Sequence, residues 1–287
     1  MKRRLPAVAG SFYERNPEGL RKQIENCFLH SLGPGRLPPL EEERRSDMPI
    51  FGLVCPHAGY MFSGPTAARA YFALASQKVP DVIIIIGPDH YGFAGDVSIY
   101  SEGVWVTPLG EVHISETIAK KIVENCPLAD EREFAHAREH SIEVQLPFIQ
   151  YCFKETPKIV PVMMGRQEKS VAKSIGEAIA KAIEGVDAVV IASTDFTHYE
   201  PQKQAQRKDE LALKRIEAVD PEGLFEVVRQ HRITMCGYGP TAAMLFACKE
   251  LGYNRAQILG YSTSGDIIGD YSQVVGYGAV AIFRSSS

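Results

Sequence analysis

Six short apolar runs set the rhythm of this chain, at residues 50–55, 82–86, 159–163, 188–192, 257–261 and 278–283. They are rich in Val and Ile, and most show no alternation with polar residues. A strand wet on one face alternates, so an unbroken apolar run predicts a strand covered on both faces. Longer amphipathic stretches predict helices at residues 17–32, 65–75, 115–124, 143–151, 168–184, 203–218, 221–231 and 241–251. Pro17, Pro65 and Pro221 suit first helical turns, where a missing N–H costs no hydrogen bond. Asn16 and Asp220 stand where N-caps belong, and Gly185 and Gly252 where a left-handed residue would close a helix. The alternation predicts an α/β fold. A mixed central sheet lies between helical layers, a three-layer α/β/α sandwich in one domain over residues 1–287. Residues 33–47, GPGRLPPLEEERRSD, predict an exposed loop, because Gly, Pro and charge replace any apolar period.

Polar clusters follow three of the apolar runs. IFGLVCPHAGY puts His57 just after a strand, VIIIIGPDHYG puts His90 after another, and VVIASTDFTHY puts Asp195 and His198 after a third. In open α/β sheets, groups beyond the carboxyl ends of neighbouring strands converge on one crevice. Neighbouring strands here would bring three imidazoles and a carboxylate to one rim. One such histidine is as easily a turn residue as a functional one; three in the same setting favour a site. In HSIEVQLPF, His140 is a candidate for the pocket wall, while Glu143 is explained by a helix start whose dipole favours an acid. Cys236, in ITMCGYGP, lies close to a helix N-terminus, which favours a thiolate suited to metal ligation or nucleophilic attack. Cys55, Cys126, Cys152 and Cys248 read as small core residues, and His30, His113, His136 and His231 as solvated or incidental.

Bulk properties narrow the classes. A formal net charge of -4 argues against a phosphate-binding surface, so nucleic acid is not an expected partner. The longest aliphatic stretch, Val82 to Ile86, is far too short to span a bilayer, and no membrane association is expected. Six scattered cysteines without a CxxC pair suit reduced thiols and a cytoplasmic setting. Walker-type, HExxH and GxSxG patterns are absent.

PHAGYMFSG (from Pro56), GPDHYG (from Gly87), EHSIEVQLPF (from Glu139), STDFTHY (from Ser193) and MCGYGP (from Met235) together closely resemble the Memo family. RLPAVAGSFYE near the start and LGYSTSGD near the end extend the likeness over nearly the whole chain. The resemblance implies a fold similar to class III extradiol dioxygenases, which cleave aromatic rings with non-haem iron. It matches His57, His90 and Cys236 to a metal-binding set, and His198, with Asp195 beside it, to an acid/base position. It also implies radical-SAM and AMMECR-like protein partners. A thiolate in place of the dioxygenases' carboxylate favours softer ions and is itself oxidisable, so the metal site can be inherited without the ring cleavage.

The leading expectation is therefore a redox-active iron or copper site with His198 as proton carrier and Asp195 as its orienting partner. Tyr60, Tyr91 and Tyr199 adjoin the ligand motifs and are expected to line a pocket for a small aromatic molecule or peptide side chain. The rivals are a module binding a peptide or partner protein around a structural metal, and a zinc hydrolase whose ion activates water.

Overall fold

The computed structural model describes residues 2–44 and 49–283. Part of the loop expected at 33–47, residues 45–47, lies outside them. Its described part is mostly exposed and carries one 3₁₀ turn at Glu41–Glu43.

In chain order the strands are β1 (Arg3–Arg4), β2 (Ile50–Cys55), β3 (Val82–Pro88), β4 (Val97–Ile99), β5 (Val104–Thr107), β6 (Gly110–His113), β7 (Ala129–Asp130), β8 (Lys158–Met164), β9 (Ala188–Ser193), β10 (His198–Glu200), β11 (Arg255–Thr263) and β12 (Val274–Phe283). The helices are α1 (Pro17–Leu29), α2 (Tyr60–Ala75), α3 (Glu116–Asn125), α4 (Glu133–His136), α5 (Leu146–Cys152), α6 (Lys169–Ala182), α7 (Gln202–Glu217), α8 (Pro221–His231), α9 (Tyr238–Glu250) and α10 (Ser264–Ile268). Strands β12, β2, β9, β3, β8, β4 and β7 are neighbours in that order, and β10 and β11 both pair with β12. The central four, β2, β9, β3 and β8, run parallel, whereas β12 and β4 flank them antiparallel. The sheet is mixed, as the sequence predicts.

Both faces of the sheet are covered. Val82, Ile84 and Ile86 of β3 join one core cluster with α3, α6, α7, α8 and α9, while Ile83 and Ile85 join a second with α1, α2 and α5. Period-two side chains thus feed two separate cores, which is why the strand sequence shows no polar alternation. The three-layer, single-domain architecture follows from this.

Boundaries differ from expectation where polar chemistry intervenes. Helix α2 begins at Tyr60, not at Pro65, so Pro65 lies inside it near the N-terminal end. The segment expected as one helix from residue 143 starts as a 3₁₀ turn at Glu143–Gln145 before α5. Asn16 and Asp220 cap α1 and α8 through side-chain oxygens, and Gly185 and Gly252 adopt φ of 74° and 75°.

Two glycines bring backbone to the site. A Cβ at Gly87, the end of β3, would lie 2.5 Å from Ser141 Oγ, and one at Gly237 would lie 2.5 Å from the Ser193 carbonyl oxygen. Any side chain there would push the Glu139–Gln145 segment or the Cys236 loop off the strand ends.

Candidate metal centre

Strand order places β9 between β2 and β3, so the turns carrying His57, Asp195 and His90 leave one rim of the sheet side by side. Cys236 arrives from the loop before α9, fixed to the end of β9. Its N–H donates to the Asp195 carbonyl (3.2 Å), and the Asp195 N–H points at its Sγ (3.2 Å). Gln167 clamps the same loop, donating to the Cys236 carbonyl (2.7 Å) and accepting from Gly239 N–H (2.8 Å). Donor atoms of His57, His90 and Cys236 lie within 4.8 Å of one another, and His57 Nε2 is 3.1 Å from Cys236 Sγ.

Hydrogen bonds settle the histidine tautomers. His57 Nδ1 is 2.9 Å from Ser193 Oγ. That hydroxyl gives its one proton to the Ser141 carbonyl (2.6 Å) and accepts from Gln145 Nε2 (2.8 Å). It can therefore only accept from His57 Nδ1–H, which leaves the Nε2 lone pair facing Cys236. His90 Nδ1 lies 3.0 Å from Glu139 Oε1, so its Nε2 is the free nitrogen as well. His198 Nδ1 donates to the Thr234 carbonyl (2.8 Å), and its Nε2 is free for a third time.

Burial tunes these groups unequally. It holds His57 well below the usual imidazole range, and neighbouring His140 and His90 add to that effect. Burial also works against the His90 imidazolium, but the Glu139 carboxylate prevails and raises it. His140 is lowered, by burial first. Burial lifts Asp195 to about 6. The Cys236 thiol is pushed well up, by burial and then by Asp195. The expected helix effect on this thiol is therefore outweighed by burial: Cys236 sits ahead of α9, which starts at Tyr238.

Donor atoms of a second group, His90, Glu139 and His140, also lie within 4.8 Å of one another. It is a hydrogen-bond cluster instead. Glu139 Oε1 accepts from the N–H groups of His140 and Ser141 (both 2.8 Å), and Oε2 from that of His90 (2.7 Å).

A cleft of about 390 Å³ opens beside the site, with His57, His90, His140, Asp195 and His198 on its polar side. Phe12, Phe62, Tyr199, Ile268, Val275 and Tyr277 form the apolar side. Tyr199 sits at φ 58°, an uncommon conformation for a bulky residue, and is 72% exposed at the mouth.

Several expectations are corrected here. Tyr60 does not line the cleft: as the first residue of α2 it turns into the core, and its hydroxyl donates to the Val144 carbonyl (2.6 Å). Tyr91 is half exposed outside the cleft, on a turn held by the Asp89 carboxylate. Asp195 does not orient His198. Its Oδ1 accepts the His57 N–H (2.8 Å), while Thr234 holds His198 through both the ring and the backbone N–H (2.7 Å). Glu143 is no helix cap: fully buried, it pairs with Arg4 and accepts from Ala7 N–H (2.8 Å), Val8 N–H (3.1 Å) and the Tyr13 hydroxyl. His136 is fully buried against Trp105 and Tyr100, not solvated. His30, His113 and His231 are exposed, and Cys55, Cys126, Cys152 and Cys248 are buried, as expected.

Glu139, Ser193 and Thr234 carry no role in the sequence reading, and Gln145 stands there only as a member of the HSIEVQLPF cluster. Their signal was weak: each lies within or beside a ligand motif, but as a common polar residue with an ordinary explanation.

Among the described residues no helix is long and apolar enough to cross a membrane. A structure of an uncharacterized protein from Escherichia coli K12 superposes with a TM-score of 0.53, at 13% identity, over 81% of this chain and 99% of that one, a likeness of fold alone. A MEMO1 family protein of Methanopyrus kandleri is 50% identical over 98% of this chain and 99% of its own length. Another from Methanothermobacter thermautotrophicus is 50% identical over 96% of this chain and 98% of its own, and one from Sulfolobus acidocaldarius 48% identical over 96% and 97%. The family model described as Memo-like protein matches residues 4–281, from the Arg4 that pairs with Glu143 to the last strand of the sheet, and with such relatives along its whole length this chain belongs to the Memo family.

Proposed function

We propose that this chain binds a single transition-metal ion through His57 Nε2, His90 Nε2 and Cys236 Sγ, with iron or copper as the working ion. The observation that carries this reading is the meeting of three donor atoms within 4.8 Å, with both imidazoles already in the tautomer that offers Nε2. The donor set fits: borderline imidazoles and a soft thiolate suit copper, iron and zinc, and three protein donors leave positions open toward the cleft. Binding expels the thiol proton, so affinity rises with pH. The ion would supply a Lewis acid and, as iron or copper, a redox couple.

The chain's own residues supply the remainder. The apolar side of the cleft, lined by Phe12, Phe62 and Tyr277, suits a small aromatic molecule or a peptide side chain and excludes water. His198 accepts or gives a proton at Nε2, its ring fixed by Thr234. A second reading, capture of a side chain from a larger partner, is favoured by Tyr199 and Ile268, which leave apolar surface at the mouth of the cleft.

Elemental analysis after anaerobic purification tests the site. Wild type is expected to carry one ion per chain, and His57→Ala, His90→Ala and Cys236→Ala each to lose it while staying folded. Full stoichiometry in any one variant removes that residue from the set. In competition, copper is expected to displace iron, since divalent affinity peaks at copper and thiolate favours Cu(I). Preference for iron would overturn that ranking.

A further inference from the structure

The two imidazoles of the proposed metal set are backed by different chemistry. Behind His57 stands a neutral chain: Ser193 Oγ, then Gln145, then the Tyr71 hydroxyl donating to Gln145 Oε1 (2.6 Å). Behind His90 stands a carboxylate. Glu139 is fully buried, and its ion-pair partners among the described residues are the imidazoles of His90 and His140. No lysine or arginine side chain pairs with its carboxylate among those residues.

Glu139 is held in the ionised form by its contacts. Three backbone N–H groups, of His90, His140 and Ser141, and the ring N–H of His90 converge on its two oxygens. A carboxyl proton would face three backbone N–H donors that offer it no acceptor. A buried negative charge without a fixed cation is costly to keep. Here it lies one imidazole away from the proposed ion.

Resting on the metal-binding reading above, we propose that Glu139 is the charge-setting and positioning residue of this site, biasing it toward divalent over monovalent ions. Coulomb energy scales with the charge of the ion, so a fixed negative charge favours a divalent cation twice as strongly, on a logarithmic scale, as a monovalent one at the same place. The groups behind the His57 ring, Ser193, Gln145 and Tyr71, are neutral and supply orientation without this bias; the Asp195 carboxylate takes the His57 backbone N–H instead and does not back the ring. Through His90 the carboxylate also makes the imidazole a better donor, as outer-shell carboxylates do.

Affinities for Co(II) and Cu(I), read by chelator competition, test the proposal. In Glu139→Gln the Co(II) affinity is expected to fall about 10–100-fold, the usual range for an outer-shell partner. The Cu(I) affinity is expected to fall by only about half as many powers of ten. Glu139→Asp, which keeps the charge, is expected to restore the difference. Ser193→Ala is expected to weaken both ions alike. Equal losses for the two ions in Glu139→Gln, or no loss for either, overturn the charge-setting role while leaving the metal site standing. Failure of wild type to bind either ion overturns the metal reading itself. If Glu139→Gln does not fold, ¹⁵N spectra of metal-free wild type decide: a proton on His90 Nδ1 is the expected result, and a ring protonated at Nε2 alone overturns the proposal.

Discussion

Two regions build the cleft by different means. The rim of the sheet delivers His57, His90 and Asp195 from the ends of parallel strands, and its rigidity comes from apolar burial on both faces. The opposite region is irregular. Residues 139–145 and the N-terminal stretch from Arg4 to Tyr13 are joined by polar contacts: Arg4 donates to the carbonyls of His136 and Glu139, Glu143 gathers Ala7, Val8 and Tyr13, and Phe12 packs on His140 at 4.7 Å. One region is held by hydrophobic packing and the other by a buried ion pair. Apolar packing degrades by degrees, whereas a buried network fails when a single partner is removed.

The sharpest way to break the comparison is Glu143→Ala. It strands Arg4, 3% exposed, without its counter-charge. A loss of about 3–5 kcal/mol is expected, because the remaining buried charge is uncompensated. Denaturant melts measure it, and a loss under about 1 kcal/mol would show that the N-terminal stretch does not depend on this pair.

On the rim, His198→Ala is expected to keep the ion and lower any metal-dependent turnover by about 10²–10⁴-fold. Metal titration beside kinetics separates the roles: a large loss of affinity would instead make His198 a fourth ligand of a closed site.

Ser193→Ala probes the seam, since this hydroxyl of β9 receives His57 and Gln145 and donates to Ser141. Metal affinity is expected to fall about 10–100-fold. Unchanged affinity would mean that the imidazole is oriented by packing alone.

The smallest effect concerns acid. Burial, and next the Arg4 charge, lower His136 from 6.5 to about 3. Folded protein keeps this ring neutral while unfolded chain takes up a proton below pH 6.5. The stability it contributes is thus complete above that value and is lost as pH falls toward 3. Between pH 7 and 5 the loss amounts to about 2 kcal/mol. His136→Leu should remove that part of the acid sensitivity, and melts showing the same pH slope in both proteins would contradict it.

What the sequence disclosed follows the same division. Strand ends are legible because an unbroken apolar run stops abruptly at a polar residue, and His57, His90 and Asp195 stand within two residues of such a stop. Cys236 has no strand before it; the family resemblance, more than any pattern, singled it out. The irregular region leaves no period to read. Glu143 looks like a helix-start acid from sequence, and only the folded chain brings Arg4 to it across 139 positions. Tyr60 was misplaced for a related reason: taking Pro65 as the start of a helix put the tyrosine in a loop, whereas in α2 it faces the core.

The position of β9 has a consequence for synthesis. Strands β2 and β3 are buried along their whole length, and each pairs with β9 on one side, yet β9 begins at Ala188, a hundred residues after β3 ends at Pro88. A chain emerging from the ribosome at about 5–20 residues per second exposes two unpaired apolar edges for several seconds before their shared partner arrives. Cys236 comes later still. A nascent chain that has not reached Cys236 lacks the third of the proposed donors, so an ion captured at that stage would meet only two imidazoles. Chains released before β9 is made are expected to associate through those open edges.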